Sequence, residues 1–94
     1  MSATVGRNLA HIYDVLRRGA CADCGERDPL VLESDHIGAK RNAVTRLAWH
    51  GCSLATIDAE IAQCEIRCAN CHRRTTATRA GHFRFLVLSS AAPL

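Results

Sequence analysis

The stretch Cys68-Ala69-Asn70-Cys71-His72-Arg73-Arg74-Thr75 decides how this chain folds. Two thiols three positions apart supply two corners of a metal tetrahedron from one tight turn. A second such pair lies upstream in Cys21-Ala22-Asp23-Cys24-Gly25, with 43 residues between the pairs. Cys21, Cys24, Cys68 and Cys71 therefore predict a four-cysteine structural Zn²⁺ site. Such a site joins the first third of the chain to the last and couples metal binding to folding. Gly25, directly after Cys24, suits a knuckle whose backbone takes a positive φ.

The chain has reason to need this ion. It has 94 residues, of which four are aromatic. A domain of this size buries only ~60–65% of the surface its unfolded form exposes, so the apolar core alone is marginal. The N-terminus has no apolar run before its first charges, and Phe85 to Leu88, the longest apolar stretch, is too short to span a bilayer. The expected setting is the reducing cytoplasm, where paired C-x2-C motifs mean metal rather than disulfides. Cys52 and Cys64 have no close partner and read as small buried hydrophobes. A finger pattern built on Cys21, Cys24, His36 and His50 fails, because thirteen residues separate the histidines. A zinc deaminase fails too: His36 is followed by Ile37 and Gly38, and Ala20 precedes Cys21, where that chemistry needs H-x-E and P-C-x-x-C.

Working outward, Val5, Leu9, Ile12 and Leu16 recur at helical spacing and predict an N-terminal helix within residues 1–19. Leu30 to His36 begins apolar, turns polar and reads as a short strand ended by Gly38. Asn42 is placed to cap a short helix carrying Val44, Leu47 and Ala48, stopped by Gly51. Ser53 caps another over 54–63, with Leu54, Ile57, Ile61 and Cys64 on one stripe. The second knuckle leads into a helix that ends near Gly81. Phe83 to Leu88 reads as a short strand or extended arm packed on the core. The reading is one domain over 1–94: an N-terminal helix at 1–19, a zinc-stabilised core at 20–80 and a C-terminal extension at 82–94.

Charge is segregated. Residues 1–65 carry a net −2, whereas 66–94 carry Arg67, Arg73, Arg74, Arg79 and Arg84 with no acid, a net +5. That pattern fits either a solvated helix face or a phosphate-contacting surface.

Asp35-His36 closes the strand, and His72 follows Cys71 directly. Helix neighbours point about 100° apart, so with Cys71 on the zinc, His72 faces elsewhere. One carboxylate and two imidazoles suffice for a metal site and a general base. Each also has an ordinary reading: a turn aspartate, a strand-end histidine, a capping group.

The order Cys21-x2-Cys24-Gly25, then Leu32-Glu33-Ser34-Asp35-His36, then Cys68-Ala69-Asn70-Cys71-His72-Arg73-Arg74-Thr75 resembles the zinc-stabilised HNH endonucleases of bacteria and bacteriophages, over about residues 20–76. The resemblance implies a small α+β domain with a ββα-metal (His-Me finger) core, to which an N-terminal helix and inserted helices are added. It implies His36 as general base, Asp35 and His72 as ligands of a catalytic divalent ion, and Asn42 as the middle Asn, with Asn70 or Gln63 as substitutes. That ion would be Mg²⁺ or Mn²⁺, with Ni²⁺ or Zn²⁺ as further candidates.

The expected activity is metal-dependent hydrolysis of DNA phosphodiester bonds, with Arg73, Arg74 and Arg79 holding the backbone. Strong sequence specificity would need a homodimer or a larger phage or bacterial complex, since 94 residues leave no room for a separate recognition domain. Two other readings compete: a zinc-dependent DNA-binding module without catalysis, and a zinc module that binds protein.

Overall fold

The computed structural model describes residues 1–38 and 42–89. Helix α1 (Ala3–Arg17) opens on Ser2, whose hydroxyl accepts the Val5 N–H at 3.1 Å. It buries Val5, Asn8, Ile12 and Leu16. Asn8 is fully buried, and its Nδ2 donates to the carbonyls of Ala48 (3.3 Å) and Cys52 (2.9 Å). A polar side chain in the middle of an otherwise apolar stripe thus fastens α1 to Ala48, within the helix Val44–Trp49, and to Cys52 just after it. Strand β1 (Leu32–His36) follows the first knuckle. Leu30 and Val31, expected in the strand, lie outside it and are exposed.

Helix α2 (Val44–Trp49) starts after Ala43, which makes no side-chain capping bond. Asn42 is therefore not its cap; its backbone N–H donates instead to Glu60 Oε1 at 2.9 Å. Helix α3 (Leu54–Ile61) is capped by Ser53 as expected, the hydroxyl accepting the Thr56 N–H at 3.2 Å. Cys64 leaves that helix stripe and opens strand β2 (Cys64–Cys68). Helix α4 (Ala69–Ala80) ends on Gly81 at φ 61°, a left-handed conformation that glycine takes without penalty. Helix α5 (Phe83–Leu88) replaces the strand or arm expected there. Its Phe83, Leu86 and Leu88 are exposed, so the core does not receive them. Residues 90–94 of the expected C-terminal extension lie outside the described residues.

Among the described residues the result is a small α+β domain with a two-stranded antiparallel sheet. The register pairs Leu32 with Cys68, Glu33 with Arg67, Ser34 with Ile66, Asp35 with Glu65 and His36 with Cys64. Helices α2 and α3 are carried in the connection between the strands, and α4 packs on both strands. One apolar cluster, Ile12, Val44, Leu47, Ala48 and Ile57, holds the three helices α1 to α3 together. A second, Leu16, Cys21, Leu32, Cys68 and Cys71, surrounds the knuckles. Cys52 and Cys64 are half-buried against the first cluster, not the second. Among the described residues no helix is long and apolar enough to cross a membrane.

Candidate metal centres and the cleft between them

The first knuckle is built by its backbone. Gly25, at φ 79°, returns its N–H to the Cys21 carbonyl (3.0 Å), and the Cys21 N–H reaches the Glu26 carbonyl (2.8 Å). The Ala22 N–H donates to the Ile66 carbonyl at 2.8 Å, which docks this turn onto β2. Cys68 closes β2 and caps α4, its Sγ accepting the Cys71 N–H at 3.5 Å. The four sulfurs of Cys21, Cys24, Cys68 and Cys71 lie within 4.8 Å of one another, and those of Cys24 and Cys68 are 3.7 Å apart. Thiolates about 2.3 Å from a tetrahedral ion stand ~3.8 Å apart, so the set fits Zn²⁺ and leaves no open position.

Electrostatics points the same way. The Cys68 backbone amide, helped by those of Cys24 and Asp23, draws the Cys21 pKa down to about 6. Cys71 is pushed up to about 12, first by its hydrogen bond with the Cys68 side chain and then by burial. The Glu26 amide pulls Cys24 down, but the Cys21 thiol and burial outweigh it and raise the pKa. Four thiols this close resist losing all their protons together, and a divalent cation reverses that balance.

Strand alternation sorts the sheet residues. Leu32, Ser34 and His36 share one face with Cys64, Ile66 and Cys68; Glu33 and Asp35 share the other with Glu65 and Arg67. The second face carries a charged network. Arg67, 8% exposed, donates to Asp35 Oδ2 (2.9 Å) and Asp23 Oδ2 (2.8 Å) and also reaches Glu65 Oε2 (3.4 Å). Asp23 first, then Asp35, raises the Arg67 pKa further. Asp23 sits between the two cysteines of the first knuckle, so Arg67 connects the zinc turn to Asp35. Arg67 is therefore committed to this network, whereas Arg73 and Arg74 are exposed.

His72 projects from α4 toward this face, away from the sulfurs. Its Nδ1 lies 2.8 Å from Glu33 Oε1 and its Nε2 lies 3.2 Å from Asp35 Oδ1. Arg79 Nη1 stands 3.5 Å from the same Asp35 oxygen and donates to the His36 carbonyl at 3.2 Å. Asp35 is 4% exposed, which is tolerable for a carboxylate only because these cations and hydrogen bonds surround it.

His36 turns the other way and is 9% exposed. Its Nε2 is buried with no hydrogen-bond partner and lies 3.5 Å from Glu60 Oε1, itself the acceptor for the Asn42 amide. Asn42 is thus tied through its backbone to the carboxylate beside His36. Although adjacent strand residues diverge, Asp35, His36, His72 and Arg79 all line one cleft of about 590 Å³, with Thr76 and Val44 among the walls. Arg73, Arg74, His82 and Arg84 line an adjoining groove along α4 and α5, which shares Glu33, His72 and Thr76 with the cleft.

Asp35 Oδ1 and His72 Nε2, 3.2 Å apart, have the spacing that two ligands of one divalent ion would need. Adjacent ligands about 2.1 Å from an octahedral ion stand ~3 Å apart, and waters or a phosphate complete such a shell. Glu33, Glu60 and Arg67 were not singled out from sequence. Glu33 and Arg67 become visible only through the strand register, and Glu60 only through the return of α3 to the end of β1. Comparison with protein-family models, curated proteins and solved structures returned no match.

Proposed function

We propose that this chain is a metal-dependent DNA endonuclease, with β1, β2 and α4 serving as a ββα-metal unit of the His-Me finger type. The observation that carries this reading is that Asp35, His36 and His72 line one cleft, with an oxygen of the first 3.2 Å from a nitrogen of the last. Asp35 and His72 would hold the catalytic ion, Mg²⁺ or Mn²⁺. When bound, that ion stabilises negative charge developing on the scissile phosphate and on the leaving 3′ oxygen.

His36 accepts the proton of the attacking water, giving 5′-phosphate and 3′-hydroxyl ends. The burial of Nε2 beside Glu60 favours Nδ1 as the nitrogen that receives it. Arg67 holds Asp35 in place through Oδ2. Arg79 is drawn from Asp35 toward the incoming phosphate. The four-cysteine site stays out of the chemistry and fixes the knuckles, one through Arg67, against the sheet.

The test is conversion of supercoiled plasmid to nicked or linear product by zinc-loaded protein. Mg²⁺ or Mn²⁺ should support it and EDTA should stop it. A second reading has its own observation. Asp35 already has Arg67, Arg79 and His72 as partners, so the cluster also makes sense as a structural ion-pair network in a DNA-binding module without catalysis. That reading predicts binding with no cleavage under any divalent ion.

Both readings place DNA on Arg73 and Arg74. Replacing the two with alanine should weaken binding to any sequence and lower the salt slope by roughly one to two phosphate contacts. A fluorescence-anisotropy titration across salt concentrations checks this; an unchanged slope assigns these arginines to a solvated face.

A further inference from the structure

The ring of His72 lies between two carboxylates, Glu33 at Nδ1 and Asp35 at Nε2. A neutral imidazole carries one N–H and one lone pair, so it donates to only one of them. The distances differ: 2.8 Å to Glu33 and 3.2 Å to Asp35. Glu33 is therefore the better placed acceptor for the N–H. Donation to Glu33 leaves the Nε2 lone pair directed at Asp35 Oδ1, where a cation would sit.

We infer that Glu33 is a positioning residue for this site: its carboxylate accepts the Nδ1–H of His72, fixes the tautomer and aims Nε2 at the divalent ion. The assignment rests on the reading of Asp35 and His72 as ligands of that ion. A histidine ligand commonly gives its second N–H to a carboxylate, which orients the ring and makes it a stronger donor. The arrangement has a counterpart on the other ligand, where Arg67 holds Asp35 through Oδ2 and leaves Oδ1 to His72 and the more distant Arg79. Glu33 and Asp35 reach the same histidine because they are two apart on β1 and so share a face. Neither the zinc site nor either apolar cluster uses Glu33, and its side chain is half-exposed. Its loss should therefore leave the fold intact.

The experiment is a Mn²⁺ titration of zinc-loaded protein without DNA, followed by electron paramagnetic resonance of the free ion. The parent, Glu33→Gln, Glu33→Ala and His72→Ala are compared, with zinc content and circular dichroism as controls. Glu33→Ala should bind Mn²⁺ about 10- to 100-fold more weakly than the parent. Glu33→Gln should fall between them, because its amide oxygen still accepts the Nδ1–H but carries no charge. A purely structural glutamate would not produce that order. If His72→Ala loses the ion while Glu33→Ala keeps parental affinity, the Glu33 assignment is overturned alone. If the parent binds no Mn²⁺, or binds it no better than His72→Ala, the assignment falls together with the ligand reading beneath it.

Discussion

Cys68→Ala is expected to leave the chain unfolded and without zinc. Cys68 does more than supply one of four sulfurs. It is the last residue of β2, pairs with Leu32 across the sheet, caps α4 and lies in the cluster that packs the knuckles. Structural zinc contributes on the order of 10 kcal/mol to folding in small zinc domains. A domain's whole stability is only about 5–15 kcal/mol, so little is left once the ion cannot bind. Chelation of the parent protein should give the same collapse, read as loss of helical circular dichroism together with release of about one zinc per chain. Cys52→Ala is the control: Cys52 is half-buried on the other apolar cluster, so that protein should keep its zinc and lose about 1 kcal/mol. A Cys68→Ala protein that stays folded with zinc bound would remove the ion from the account of the fold.

The second large effect concerns Asp35 and His72, the ligands proposed for the cleft. His72→Ala and Asp35→Asn should each lower the rate of DNA cleavage by on the order of 10²–10⁴-fold, since bound metal supplies several kcal/mol of charge stabilisation. Asparagine is the informative replacement at Asp35. Alanine would also take one of three carboxylate partners from the buried guanidinium of Arg67, leaving it Asp23 and Glu65, and so would mix a loss of stability into the rate. Asparagine keeps an acceptor for Arg67 while removing the charge that holds the ion. Raised Mn²⁺ should restore part of the activity of His72→Ala, because excess ion offsets weakened affinity. Cleavage rates at increasing Mn²⁺ check this; a His72→Ala protein as active as the parent at low Mn²⁺ contradicts the ligand role.

The parts of this molecule written in local sequence were legible. Two C-x2-C turns announced the sulfur cluster, Ser53 announced the start of α3, and Gly25 and Gly81 marked the knuckle and the end of α4. Each of these depends on residues a few positions apart. The charged cleft does not. Arg67 falls in the basic segment 66–94 by sequence, but its closest partners are distant: strand pairing brings Asp35 to it across 32 positions, and Asp23 reaches it across 44. Glu60 lies outside the apolar stripe of α3, yet it is 8% exposed and accepts the Asn42 amide beside His36. Asn8 is buried because its amide meets the carbonyls of Ala48 and Cys52, 40 and 44 positions away, which no local pattern reveals. Phe83 to Leu88 carries aromatic and β-branched residues that favour strands, but a strand needs a neighbour to pair with. The sheet has two strands, formed by β1 and β2, and this segment becomes helix α5.

Replacement of His36 separates chemistry from structure most directly. Single-turnover cleavage of a labelled DNA duplex by zinc-loaded parent and His36→Ala, at saturating Mn²⁺, is the decisive measurement. A general base acts in the transition state, so its removal should slow cleavage by ~10²–10⁴-fold while zinc content and DNA affinity stay at parental values. Added Mn²⁺ should not restore the rate, because an ion that is already saturating cannot take over the proton transfer. Equal rates for the two proteins would contradict the role given to His36, and a parent that binds the duplex but never cuts it would contradict the enzyme.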